Sequence, residues 1–383
     1  MTLFRSSPLF LGAPLLGALL NAGPASADSG QYPNVGMDYD ATFQYDFTRA
    51  DHSTPGTSRT TTDGYPDINA TFYLRFSTDS QIHLTTELNP INPPNDGEDR
   101  FFEDVGLQVN ELAYDYQSSR YSFSLGLVQV PIGRAQDAAP GLYTSDFVAV
   151  YDLDGMLGGT FAYRFFGDQL GVIETDLTLY RQDTSVLSRP YFQSGQQVDR
   201  NDGGPANNGK INSYAVAVNW LAIPALPFLE LQAGQMRNQG GDFDGVDGSA
   251  DDEVVNLASL RYIYAVPRST DLDTTLSGQY LDVVPFIEYA DVDNEGAIPG
   301  NDTRYLTTSL TLDYGLWAFG LTRTDKRRPN DTGGGDTHDY LNELSVTYAL
   351  TGQLSIGVSA GTQKQDGEND NILGLAITYS GGY

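Results

Sequence analysis

The chain has no cysteine, two tryptophans, three histidines (His52, His83 and His338) and three lysines (Lys210, Lys326 and Lys364) in 383 residues. Without cysteine there is no disulfide framework and no thiolate metal site. The 21 Lys+Arg face 50 Asp+Glu, a net charge of −29. That balance argues against nucleic acid as a partner and against unaided binding to anionic lipid surfaces. After the N-terminal segment no long uncharged apolar run occurs, and mean hydropathy is −0.32. Membrane-spanning helices are thereby excluded. No G-x-S-x-G, H-E-x-x-H or P-loop occurs, so the motifs assign no catalytic residue and the chain is not expected to be an enzyme.

What the sequence does contain is alternation. From Val35 to Phe47 the odd positions are Val35, Met37, Tyr39, Ala41, Phe43, Tyr45 and Phe47, and the even ones include Asp38, Asp40 and Asp46. Side chains of a strand point alternately to opposite faces, so one face is apolar and the other acidic. A soluble sandwich would bury the first face, whereas a membrane barrel would turn it to lipid and the second to a wet lumen. The same pattern recurs at Ile68, Ala70, Phe72, Leu74 and Phe76. It returns at Leu157, Phe161, Tyr163 and Phe165, at Leu344, Val346, Tyr348 and Leu350, and at Leu373, Leu375, Ile377 and Tyr379. The 24 Tyr and 18 Phe suit aromatic girdles at two membrane interfaces. Residues 1–27 carry Arg5, an apolar stretch from Leu9 to Leu20 and Ala25-Ser26-Ala27, the pattern of a secretory signal peptide. The barrel domain is then 28–383.

Strands are expected at 35–47, 67–77, 81–88, 105–116, 121–130, 155–166, 170–182, 212–221, 228–237, 254–265, 274–290, 303–314, 316–325, 339–350, 354–364 and 371–379. Short turns alternate with long polar loops, the asymmetry of outer-membrane barrels. The fold class is all-β: a transmembrane antiparallel β-barrel of about sixteen strands, an even number that puts both termini on the short-turn side. Phase breaks near Pro285 and Glu111 suggest bulges.

The stretch Gly126-Leu127-Val128-Gln129-Val130-Pro131-Ile132-Gly133, ahead of a long loop, resembles the G-x-x-x-x-P-[FI]-G approach to the third outer loop of Gram-negative porins. The local pattern is similar to that of the phosphate-selective and siderophore-type families. Across the mature chain the architecture resembles porins too, down to a closing strand near the terminal aromatic Tyr383, although Gly381-Gly382 interrupts the usual run to that aromatic. The resemblance implies localisation in the outer membrane of a Gram-negative bacterium, contact with its lipid and lipopolysaccharide, and a homotrimer. It also implies that loop 131–154 folds inward and narrows the pore, which would put Arg134, Asp137, Tyr143, Asp146, Asp152 and Asp154 at a constriction. Alternation further assigns Asp38, Asp40, Arg75, Glu87, Glu111, Asp115, Arg164, Glu174, Asp176 and Arg261 to the lumen, together with Glu230, Glu288 and Glu343. Arg75, Arg164 and Arg261 would form a basic wall towards the short turns.

The expected function is a water-filled channel for passive diffusion of small hydrophilic solutes, modestly cation-selective because acids predominate in the lumen. A ladder of lysines and arginines, which phosphate selectivity would need, is missing. Substrate-specific uptake of siderophores or small organic solutes stands as an alternative. An outer-membrane hydrolase, an adhesin and a periplasmic binder are weaker ones. No cofactor is expected, except that Asp242, Asp244 and Asp247 resemble a calcium loop with the third acid one position late for EF-hand spacing. A solvated acidic loop is the default reading of those residues.

Overall fold

A computed structural model describes residues 32–51, 59–94, 97–151, 153–193, 195–266, 281–329, 336–365 and 367–383. The signal-peptide expectation, Asp152, His52 and the first residues of the strand expected at 274–290 lie outside them. The strands are β1 (Asn34–Asp51), β2 (Arg59–Arg75), β3 (Ser80–Pro90), β4 (Arg100–Phe101), β5 (Val105–Gln117), β6 (Tyr121–Val130), β7 (Leu153–Gly167), β8 (Gly171–Gln182) and β9 (Ser213–Leu221). They continue with β10 (Leu229–Asn238), β11 (Glu253–Tyr262), β12 (Tyr264–Val266), β13 (Leu281–Asp293), β14 (Thr303–Tyr314), β15 (Trp317–Arg328), β16 (Thr337–Ala349), β17 (Leu354–Gln365) and β18 (Glu368–Gly382). β12 continues β11 along the same neighbour, and β4 is a two-residue bridge, so sixteen strands make the wall. Each pairs antiparallel with the next, and β1 pairs with both β2 and β18. The ring is therefore closed. Closure leaves no edge strand in the wall, as a hydrocarbon surround requires.

The expected apolar sets face outward. Phe72, Phe161, Phe165, Leu344, Leu373, Leu375 and Ile377 are exposed on the wall, and Ile377, Leu375 and Leu373 stand opposite Phe43, Tyr45 and Phe47. Aromatic contacts occur at both ends: Tyr116 with Tyr121 and Phe123, Tyr163 with Phe165, and Trp317 with Phe319 and Tyr348 at the short-turn end, and Phe43 with Phe101 and Phe102 at the other. Such rings suit a boundary between apolar and wet surroundings.

Several strands outrun their expected limits. β1 reaches Asp51 and β2 starts at Arg59, so the expected loop 48–66 is much shorter. The ladder continues past the apolar band, where outward positions have turned polar at Arg49, Thr60 and Thr62. β18 likewise runs through Gly381 to Gly382, and Tyr383 exchanges backbone hydrogen bonds with Met37 (2.9 and 3.1 Å). The glycine pair is thus part of the closing seam. The bulge near Glu111 is present: Thr85 faces Glu111 while Thr86 faces Val109, which leaves Asn110 extra. None occurs at Pro285 among the described residues, because β13 keeps register with β14 from Leu281 to Val292 and Pro285 faces outward. A bulge that was not expected falls between β6 and β7, where Gly155 (φ +65°) takes the left-handed conformation.

The segment between β6 and β7 holds two short helices, α1 (Ala135–Ala138) and α2 (Thr144–Val148), where the sequence indicated only a loop. Ile132, Ala135, Ala139, Val148 and Tyr151 form one buried cluster with Met236, Val255, Leu257, Phe286, Ala290 and Tyr305 of β10, β11, β13 and β14. These strand positions lie on the face opposite the outward apolar set, which explains why strands such as β11 are apolar on both faces.

Candidate functional site

Two inward carboxylates hold the 131–152 segment. Glu288 on β13 accepts from the backbone N–H of Arg134 (2.6 Å) and Ala135 (3.1 Å) and from the Tyr151 hydroxyl (2.9 Å). Glu343 on β16 accepts from the N–H of Leu142 (2.5 Å) and Tyr143 (3.3 Å) and from the Thr144 hydroxyl (3.0 Å). Both are only 1% exposed. Each carboxylate meets the donors that a short helix leaves unsatisfied at its start. Gly141 has φ +138°, and a Cβ there would lie 2.1 Å from Glu343 Oε2. Only glycine lets the backbone approach so closely. The Thr322 hydroxyl donates to Pro140 O at 2.6 Å. Glu288 and Glu343 are therefore anchors and not free lumen charges.

Tyr143 extends the attachment to β1. Its hydroxyl donates to Asp46 Oδ1 at 2.8 Å, and Tyr65 donates to Asp46 Oδ2 at 2.9 Å. Burial, followed by the negative charge of Asp46, raises the Tyr143 hydroxyl above its ordinary pKa. Arg134 donates to Glu230 (3.0 Å) and to Asn219 (3.0 Å). Burial lowers its guanidinium from the usual value, against the pull of Glu230.

A cavity of about 1490 Å³ runs beside this segment. Of the expected lumen charges, Asp38, Asp40, Glu87, Glu111 and Asp115 line it, as do Asp137, Tyr143, Asp146 and Asp154 of the loop. Asp46, Asp63, Asp67 and Asp339 join them. Glu87 takes hydrogen bonds from Asn89 (2.7 Å) and Asn110 (2.8 Å), and Asp67 takes one from Asn69 (3.2 Å). Asp146 makes no hydrogen bond or ion pair among the described residues. Enclosure by the surrounding protein, followed by the charges of Asp46, Glu343 and Glu87, raises its carboxyl to about 6. The bases that line the cavity are each paired: Arg100 with Asp63, Lys326 with Glu295 (2.9 Å) and Arg328 with Asp339 (3.5 Å).

The expected basic wall does not line this cavity. Arg164 pairs with Glu174, and Arg261 lies 3.4 Å from Glu230. Asp176 accepts from Asn219 at 2.9 Å. Arg75 sits at the short-turn end with its guanidinium 4.7 Å from the Tyr73 ring centre. Neighbouring strands supply Glu174 to Arg164 and Glu230 to Arg261, which alternation along one strand cannot reveal.

His83 has Asp115 Oδ2 2.6 Å from Nδ1 and Glu111 Oε2 3.4 Å from Nε2, and Ser124 donates to Asp115 at 2.7 Å. The serine thus addresses the acid and not the imidazole, and both ring nitrogens face carboxylates. A nucleophile–base pair needs the serine hydroxyl on the histidine.

In the acidic loop, Asp242 accepts from Gly248 N–H at 3.0 Å, and Asp244 is left-handed (φ +53°). No group of three or more His, Asp or Glu side chains among the described residues could hold a metal ion.

At the outer mouth Arg100 grips Asp63 and donates to Asn92 O (2.6 Å), while Phe102 N–H bonds Gly64 O (2.7 Å). This strap covers the part of β2 that the shorter β3 leaves unpaired. The sequence reading put Asp46 on the acidic face of the first strand without assigning it to the site, and it passed over Asp63, Tyr65 and Asp67. Following the alternation of β1 and β2 beyond the apolar band would have found them.

No protein-family model and no curated protein matches the chain. Solved structures do. The outer-membrane channel DcaP of Acinetobacter baumannii superposes with TM-score 0.54 at 9% identity, over 91% of this chain and 97% of that one. OprB of Pseudomonas putida gives 0.56 at 11% identity, over 90% and 94%. OmpF of Salmonella typhi, solved in complex with daunomycin, gives 0.53 at 12% identity, over 90% and 97%. The chain has the sixteen-stranded β-barrel fold of the porins and channels of the Gram-negative outer membrane.

Proposed function

We propose that the protein is an outer-membrane channel through which small hydrophilic solutes diffuse passively, with a modest preference for cations. The observation that carries this reading is the cavity inside a closed barrel, where Asp67, Glu87 and Asp146 have no cationic partner among the described residues and every lining arginine and lysine is paired. Carboxylates that line one narrow passage add their fields and raise the local cation concentration. In this reading the 131–152 segment fills one side of the lumen and narrows the passage on the β1–β5 side, supported by its bonds to Glu288, Glu343 and Asp46. The arrangement at His83 gives a hydrolase no support. A homotrimer and contact of the outward apolar wall with lipid and lipopolysaccharide are further parts of the proposal, each resting on sequence pattern or likeness of fold.

The test is a planar-bilayer recording of the detergent-purified chain across a KCl gradient. Open channels of stable conductance are expected, with a reversal potential on the cation side that grows at low salt, where the Debye length is about 30 Å at 0.01 M. Anion preference would overturn the assignment of charge, and an impermeable barrel would overturn the channel.

A further inference from the structure

Resting on the channel reading, we infer that the cavity is a binding site for amphipathic organic cations, small molecules that join an ammonium group to an apolar body. Its walls differ in chemistry. The β2–β3 side presents Asp67 and Glu87, whose hydrogen bonds come only from amides among the described residues. The 131–152 segment presents Asp146 without a partner among the described residues, beside the apolar side chains of Leu142 and Phe147. The strap adds Ile91 and Pro93 at the mouth. An ammonium group is attracted to the carboxylates, and each lining arginine and lysine is already held by an acid of its own. Inorganic cations would use only the acidic wall. A solute with an apolar body gains in addition by removing Leu142 and Phe147 from water, in proportion to the area covered. Anions of the same size meet the same apolar wall and are repelled by the carboxylates.

The experiment is calorimetric titration of the folded, detergent-purified full chain with three probes: benzyltrimethylammonium, tetramethylammonium and benzenesulfonate. Benzyltrimethylammonium should bind about tenfold more tightly than tetramethylammonium, the increment expected from burying much of one ring. Benzenesulfonate should not bind. Phe147→Ala should bring the two ammonium probes to within about threefold of each other. Asp67→Asn combined with Asp146→Asn should weaken both. Leu142→Ala serves if Phe147→Ala fails to show heat-modifiable migration on a gel. Equal affinities for the two ammonium probes in the wild type, or equal binding of the sulfonate, would overturn the inference. Binding with this discrimination by a barrel that carries no current would uphold the site and sink the channel. Cation-selective current without the discrimination would do the reverse.

Discussion

Replacing Glu343 by alanine should release one end of the 131–152 segment without unfolding the barrel. The carboxylate serves the N–H groups of Leu142 and Tyr143 and the hydroxyl of Thr144. Hydrogen bonds to a charged acceptor contribute about 1.5–3 kcal/mol each. Lumen water can re-solvate the freed donors, so the net loss should be nearer ~3 kcal/mol for the cluster than the sum of three bonds. A loss of that size raises the population of the detached segment roughly a hundredfold. The ladder of the wall is untouched, so heat-modifiable migration should be preserved. Single-channel recording should show larger or noisier conductance, and limited proteolysis should cut within 131–152. Glu343→Gln keeps an acceptor oxygen and should cost about 1 kcal/mol, with a much smaller change. Wild-type conductance noise and protease resistance in Glu343→Ala would refute the view that this carboxylate anchors the segment.

Further outcomes follow from the same contacts. Gly141→Ala places a methyl group against Glu343 and demands φ near +138°, so it should reproduce the conductance noise of Glu343→Ala. The Asp146 carboxyl, raised to about 6, should take up a proton as pH falls from 7 to 5. Cation selectivity should decline over that window in the wild type and not in Asp146→Asn, as read by reversal potential. The sign for stability is the opposite: a group whose pKa is raised on folding favours the folded state most below its unfolded value, and that contribution is lost as pH rises through about 6. Arg100→Ala leaves the buried carboxylate of Asp63 unpaired. It should loosen the strap by about 2–4 kcal/mol, visible as protease cleavage between residues 91 and 104, and an uncut strap would contradict this.

The barrel was legible in the sequence because its cause is local. Lipid and lumen water act on alternate residues of the same strand, so Val35 to Phe47 or Leu373 to Tyr379 reveals its two faces without reference to anything else in the chain. Short turns and long loops recur along the chain for the same reason, and together they determined an even-stranded closed wall with both termini at one end. The use of the inward charges was not legible. Glu343 differs from Glu87 only in what meets it, and its partner Leu142 lies 201 residues away in sequence. Arg134 finds Asn219 across 85 residues. Periodicity says that a carboxylate points inward but not whether a helix start, an arginine or water awaits it there. Which acids anchor the 131–152 segment, which are neutralised and which stay open to solute is set by how the strands curve round to face one another. Only the closed tertiary structure decided that.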